Sequence, residues 1–252
     1  MAQTLTSYRS NHFIDDNGIR KPQPTFHKQE WNQYVEYGWR EDKTLGANLS
    51  LHRLTNDGAY YDPALGASVH YTEENYGLAD PEIFIRQHLW HGDLFGNDTR
   101  FALQPLVKLP SLYLDAGNPR SGTDNFDAEM RLQVGIVFPF LDRHHFIATD
   151  VAYRHRFGEW RDQWKVDSTL GINLTDRVLL LYQTFLTQRA EGTARHAESS
   201  AAVNDYDLLK AQISLVYRLT DNVRVQLGGF QHMEARNTGD GKGVLLSFWR
   251  EF

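Results

Sequence analysis

The chain has no cysteine, which excludes a disulfide framework and any thiolate metal site. It has no apolar run near the roughly 18 residues that a membrane-crossing helix needs. The longest, Val178-Leu179-Leu180-Leu181-Tyr182, has the length of a strand. It has no surplus of positive charge: 26 Lys and Arg stand against 32 Asp and Glu, a net charge of -6, which argues against a nucleic-acid partner. The start, Met1-Ala2-Gln3-Thr4, has neither the charged region nor the apolar region of a signal peptide. Ala-Gln after Met resembles a signal-peptidase scar, so an exported chain whose signal peptide has been removed is expected. No solenoid-length repeat, low-complexity tract or linker-like shift in composition interrupts the 252 residues, and one domain spanning 1–252 is the simplest expectation.

What is present is alternation with a period of two. Leu45, Ala47, Leu49 and Leu51 alternate with Gly46, Asn48, Ser50 and His52. Met130, Leu132, Val134, Ile136 and Phe138 alternate with Glu129, Arg131, Gln133 and Gly135, and Leu209, Ala211, Ile213, Leu215 and Tyr217 with Lys210, Gln212, Ser214 and Arg218. This is the signature of strands with one apolar and one polar face. About twelve are expected, near 3–11, 27–39, 44–54, 79–90, 98–109, 126–138, 145–157, 164–174, 178–188, 205–219, 223–234 and 243–252. Tight turns rich in Asp, Asn and Thr (40–43, 139–144, 175–177, 220–222) take turns with long polar stretches expected to be loops: 13–25, 55–77, 110–125, 190–204 and 235–242. An even strand count with short turns on one side and long loops on the other predicts an all-β fold, a closed antiparallel up-and-down transmembrane β-barrel in an outer membrane. A mean hydropathy of -0.53 is compatible with this, because alternating strands average to a hydrophilic value.

The end of the chain, GVLLSFWREF, places Val244, Leu246, Phe248 and Phe252 in a final strand. In lipid no sheet edge can stay open, so this strand must pair with the first. Phe248 and Phe252 are the expected closure and sorting signal, presented to the barrel assembly machinery. Aromatic residues near strand ends, among them Trp31, Tyr37, Trp39, Tyr153, Trp164, Tyr217 and Trp249, suit two girdles facing outer-membrane lipids and lipopolysaccharide.

If the apolar face meets lipid, the polar face lines the interior. Its expected acids are Glu36, Glu82, Glu129, Asp150 and Asp167, and its expected bases are Arg86, Arg100, Lys108, Arg131, Arg154, Arg156, Lys165, Lys210, Arg218 and Arg224. Twelve strands about 4.8 Å apart and tilted near 40° give a backbone radius of roughly 12 Å, a size for ions and small molecules. The expected function is passive passage of small solutes with a preference for anions. Two alternatives stay open. One is a structural or adhesin-type barrel, or a subunit of an envelope assembly, with a lumen filled by salt bridges. The other is a soluble all-β binding module.

No enzyme is expected, and no cofactor or metal. Ser168 has no His at a suitable position on its strand face. His144 and His145 are neighbours and point apart. His52 and His88 meeting across the lumen would serve hydrogen bonding. Gly239-Asp240-Gly241-Lys242-Gly243 lacks the spacing of a phosphate loop and reads as a flexible loop. Trp160-Arg161-Asp162-Gln163-Trp164 reads as girdle.

Three stretches resemble the meta-pathway phenol-degradation family of outer-membrane proteins and related transporters. They are Tyr34-Val35-Glu36-Tyr37-Gly38-Trp39 followed by a short turn and Thr44-Leu45, then Gly77-Leu78-Ala79-Asp80-Pro81, and the aromatic C-terminal strand. Ala79 stands where that family is expected to carry Gly. The resemblance implies a barrel of roughly twelve strands that passes small molecules, often aromatic or apolar, and it implies no catalytic residues.

Overall fold

The computed structural model describes residues 1–113, 119, 122–158, 160–191 and 205–252. Its strands are β1 (Ala2–Ile14), β2 (Arg20–Arg40), β3 (Lys43–Asp62), β4 (Ala67–Leu94), β5 (Asn97–Lys108), β6 (Leu112–Tyr113), β7 (Asp127–Phe140), β8 (Arg143–Arg156), β9 (Gln163–Asn173), β10 (Val178–Arg189), β11 (Asp207–Arg218), β12 (Val223–Arg236) and β13 (Thr238–Arg250). No helix occurs among the described residues. Twelve strands close into an antiparallel barrel, and β6 is a two-residue addition to the edge of β4. Closure is made by β13 against β1, with Leu5 opposite Leu246 and Ala2 opposite Trp249. The last strand ends at Arg250, so Glu251 and Phe252 extend past it, and Phe252 is 81% exposed.

Short turns join the strands at the end where both termini lie. At Phe95-Gly96 and Leu141-Asp142 both residues have positive φ (54° and 80°, 47° and 58°), the two-residue geometry whose twist matches paired strands. Outward-facing residues are apolar and exposed, including Leu5, Leu49, Leu51, Ile83, Ile85, Met130, Leu132, Ile147, Val151, Ile213, Leu215 and Leu227. In water such a surface would drive association. Around acyl chains it is the ground state. Tyr37, Trp39, Trp90, Phe140, Tyr217 and Phe248 ring it at the turn end, and Trp31, Tyr76, Tyr153 and Trp164 lie some ten residues along the strands, a hydrocarbon thickness away. Tyr153 and Trp164 meet edge to face at 4.8 Å.

Three of the stretches expected to be loops are strand instead. Residues 55–77 form the tip of a long β3–β4 hairpin, in register from Thr55 opposite Glu74 to Asp62 opposite Ala67. It stands above the upper girdle with water on both faces, so neither face needs to be apolar and the alternation vanishes. Residues 13–25 reduce to the turn Asp15–Ile19, where Asp15 accepts from the backbone of Asn17 and Ile19 at 3.0 and 2.8 Å. Residues 235–242 run through one connecting residue, Asn237 (φ 58°), into β13. The expected flexible loop Gly239–Gly243 is therefore part of β13. Its glycines face inward, where Cβ atoms at Gly239 and Gly243 would strike Tyr8 and Phe230 at 2.9 and 2.5 Å. Residues 192–204 of the stretch 190–204 lie outside the described residues.

Candidate functional site

The inward face is built by strand periodicity. On β7, Asp127, Glu129, Arg131 and Gln133 face in, and on β8 Asp150, Ala152, Arg154 and Arg156 do. On β9 the inward residues are Gln163, Lys165 and Asp167. The register decides which charges meet. Glu129 lies directly opposite Arg154, and Asp127 opposite Arg156. Asp150 lies opposite Asp167, a like-charged pair that would repel. Arg131 resolves this: its Nη1 donates to Asp150 at 3.2 Å and to Asp167 at 2.9 Å. Ala152, between Arg131 and Lys165 in the cross-strand row, leaves the space in which these long side chains cross.

Glu129 is the centre of the cluster. Its side chain has no exposed surface and binds Arg131 at 2.8 Å, Arg154 at 2.7 Å and Lys165 at 3.6 Å. Arg154 also reaches Glu82 on β4 at 2.5 Å. Lys108 on β5, 1% exposed, lies 3.1 Å from Asp80 and 3.5 Å from Asp127. Five neighbouring strands are thus cross-linked by charge on the lumen side. A buried acid surrounded by bases is stable only as a set, because each member left alone would carry the full desolvation penalty.

The opposite wall is sparser. Glu30 on β2 pairs with Lys28 at 2.9 Å and with His52 on β3 at 3.1 Å. Arg86 pairs with Glu36 at 2.7 Å, and Tyr34 donates to the same carboxylate. Lys210 on β11 lies over the rings of Phe185 (4.0 Å) and Phe230 (5.3 Å), with Tyr8 stacked on Phe230 beyond.

Of the residues expected from the sequence to line the lumen, Arg86, Lys108, Glu129, Arg131, Asp150, Arg154, Arg156, Lys165, Asp167 and Lys210 stand on inward strand positions. Arg100, beside Asp98 at 3.6 Å, lies at the short-turn end of the barrel, as do Arg218 and Arg224, which face each other across β11 and β12. Arg224 is bound by Glu251. Sequence reasoning missed Lys28, Glu30, Asp80 and Asp127. Lys28 and Glu30 were legible, since they continue the polar alternation of Asn32, Tyr34 and Glu36. Asp127 opens its strand and Asp80 sits in a bulge, where periodicity carries no information. With these included, and with Arg100, Arg218 and Arg224 at the turn end set apart, the inward bases (Lys28, Arg86, Lys108, Arg131, Arg154, Arg156, Lys165, Lys210) and acids (Glu30, Glu36, Asp80, Glu82, Asp127, Glu129, Asp150, Asp167) number eight each, so the expected two-to-one basic excess is corrected to balance.

His52 and His88 do not meet. His52 pairs in register with Gly77, while His88 follows Gln87, the partner of Lys43, at the other end of the hairpin. His145 is a packing residue: its Nε2 donates to the Phe140 carbonyl at 2.9 Å and its Nδ1 accepts from Asn173 at 3.1 Å. Trp160 takes the Arg156 guanidinium over its ring at 5.6 Å, and Trp164 belongs to the girdle. Among the described residues no three His, Asp or Glu side chains converge to hold a metal ion.

No family model matches the chain, and no curated protein does. Solved structures do match it. The COG4313 outer membrane channel from Pseudomonas putida F1 superposes with a TM-score of 0.66 at 11% identity, over 100% of this chain and 95% of that one. The KdgM porin gives 0.51 at 8% identity, over 100% and 99%. The Pseudomonas putida toluene transporter TodX gives 0.50 at 9% identity, over 100% and 78%. The fold is that of outer-membrane channels.

Proposed function

We propose that this chain is an outer-membrane channel for the passive passage of small solutes, with a preference for anions. The observation that carries the reading is the state of the lumenal charges. Each inward carboxylate named above has a cationic partner within 4.0 Å. Lys210 and Arg218, in contrast, have no carboxylate at that distance among the described residues. A narrow, low-dielectric passage focuses the field of even two uncompensated charges. The selectivity-setting lining comprises Arg86, Lys108, Glu129, Arg131, Asp150, Arg154, Arg156, Lys165, Asp167 and Lys210, with Arg100, Arg218 and Arg224 at the periplasmic mouth. Small solutes are the transported partners, outer-membrane lipids and lipopolysaccharide surround the girdles, and Phe248 and Phe252 address the barrel assembly machinery. Kinship with the meta-pathway transporters rests on the three stretches that resemble them. In planar bilayers under a salt gradient the reversal potential is expected to indicate anion preference, and Lys210→Gln is expected to move it toward cations. A cation-preferring wild-type pore would refute the selectivity.

A second reading has its own support. Glu129, Lys108 and Asp127 face the lumen and yet are almost wholly shielded from water, as in a barrel propped by its ion pairs with its role at the surface. A protein that inserts and never conducts would favour that reading.

A further inference from the structure

The wall of the barrel is broken at one place in β4, and three parts of the chain meet there. Opposite the single residue Leu49 of β3, β4 carries two, Asp80 and Pro81, between the pairs Asn48–Glu82 and Ser50–Ala79. This is a β-bulge, and Asp80 occupies the left-handed region at φ 41°. The extra residue shifts the alternation by one. Tyr76 and Leu78 above the bulge and Ile83 and Ile85 below it can then all face outward, although their numbers differ in parity.

The bulge also turns Asp80 out of the ladder and into the barrel. Its N–H donates to Ser111 Oγ at 3.0 Å, and Ser111 Oγ donates back to its carboxylate at 3.0 Å. The same carboxylate oxygen accepts from the backbone of Thr123 at 3.2 Å and from Lys108 at 3.1 Å. Lys108 donates in addition to Thr123 Oγ1, and Ser111 N–H donates to the Thr123 carbonyl at 2.9 Å. Gly122 (φ 91°) passes so close that a Cβ there would lie 2.6 Å from the Asp80 carboxylate. One side chain therefore holds both legs of the connection between β5 and β7.

The outgoing leg continues along the edge of β4 that β5 leaves free after Lys108, with Leu112 opposite Leu78 and Tyr113 opposite Gly77. A Cβ at Gly77 would strike the Leu112 carbonyl and the Tyr113 ring, each at 2.5 Å, so the ring lies over the lumen side of β4. Its hydroxyl meets His52 Nδ1 at 3.3 Å, two strands away. The returning leg covers Lys108 and Asp127, whose side chains are 1% and 2% exposed although they point inward.

We propose that Asp80 is a clasp that holds the two ends of the β5–β7 connection, residues 109–113 and 122–126, against the lumen side of the wall, and that this clasp, with Tyr113 over Gly77, sets the width of the lumen there and so the size of solute that passes. The proposal rests on the lumen being a solute path. Asp80 touches no solute; it acts by positioning.

The test uses the full chain in planar bilayers, with folding verified by heat-dependent gel mobility. Asp80→Ala is expected to raise single-channel conductance about two-fold, since conductance follows open cross-section. Asp80→Asn, which keeps acceptors for Ser111 and Thr123 and loses the charge that attracts Lys108, is expected to give a smaller rise, and it serves alone if the alanine variant does not fold. Wild-type conductance in a folded variant would overturn the proposal. A second arm does not depend on current. Because the chain has no native cysteine, Leu78→Cys with Leu112→Cys places two unique thiols on facing positions of β4 and β6, within disulfide reach, and leaves Tyr113 over Gly77 in place. Oxidative closure is expected to be about ten-fold slower when Asp80→Ala is added, because the leg is no longer held in place. Equal rates would overturn the clasp whether or not the protein conducts. The expected difference in rate, in a chain that passes no current in any form, would uphold the clasp and refute the solute path.

Discussion

Replacing Glu129 by Gln removes one negative charge from the middle of three bases and leaves the shape of the side chain intact. Gln Oε1 can still accept from Arg131, now at 2.8 Å from the Glu129 carboxylate. The other end of the amide becomes a donor facing the Arg154 donor that binds there at 2.7 Å. Removing one partner of a buried ion pair costs about 3–5 kcal/mol, mostly for the charge left unpaired. Here the bases keep other acids: Arg154 retains Glu82, and Arg131 retains Asp150 and Asp167. Lys165 has no other ion pair among the described residues. We therefore expect the low end, about 3 kcal/mol. Urea unfolding in phospholipid vesicles, followed by tryptophan fluorescence and gel mobility, measures it. Glu36→Gln is the internal control, since its carboxylate is 31% exposed and pairs with Arg86 alone among the bases, so its loss should stay near 1 kcal/mol. A Glu129→Gln loss no larger than that of Glu36→Gln would refute the reasoning. Arg154→Met with Glu129→Gln should then cost less than the sum of the two changes, because they share an interaction.

Gly241→Ala should weaken the closing seam, because the new methyl would lie 2.6 Å from the Tyr8 ring and also strike the Arg9 carbonyl; a loss of about 1–3 kcal/mol should show as a lower temperature for the gel-mobility transition. Trp164→Ala should cost more than its buried area alone by about 1 kcal/mol, through loss of the edge-to-face contact with Tyr153, and a double-mutant cycle with Tyr153→Ala isolates that part. Asp15, in the exposed turn before β2, should titrate below its ordinary value of 3.8, because the Lys21 side chain and then the Ile19 N–H hydrogen-bond its charged form. With the folded value depressed, the contribution of this turn is complete above about pH 4 and fades as pH falls, which carboxyl chemical shifts in detergent would follow.

Much of this protein was legible before any coordinates. Within the lipid layer one face must be apolar and the other meets water, so Met130 to Phe138 and Leu209 to Tyr217 announce their strands and the direction of each side chain. Closure followed from the absence of any tolerated edge in lipid, and the strand number from the spacing of turns. Where water bathes both faces that constraint is lifted, and the β3–β4 hairpin and the start of β13 could not be told from loops. The lumen divided in the same way. Periodicity assigned Glu129, Arg131 and Arg154 to the interior, because inward or outward is a local property of a strand. Which acid meets which base is not local. It depends on the register of five strands, on the gap that Ala152 leaves, and on a bulge at Asp80 that reverses the alternation and swings a carboxylate onto the chain between β5 and β7. Register and bulges are settled by pairing between residues far apart in sequence, and only the closed barrel brings those residues together.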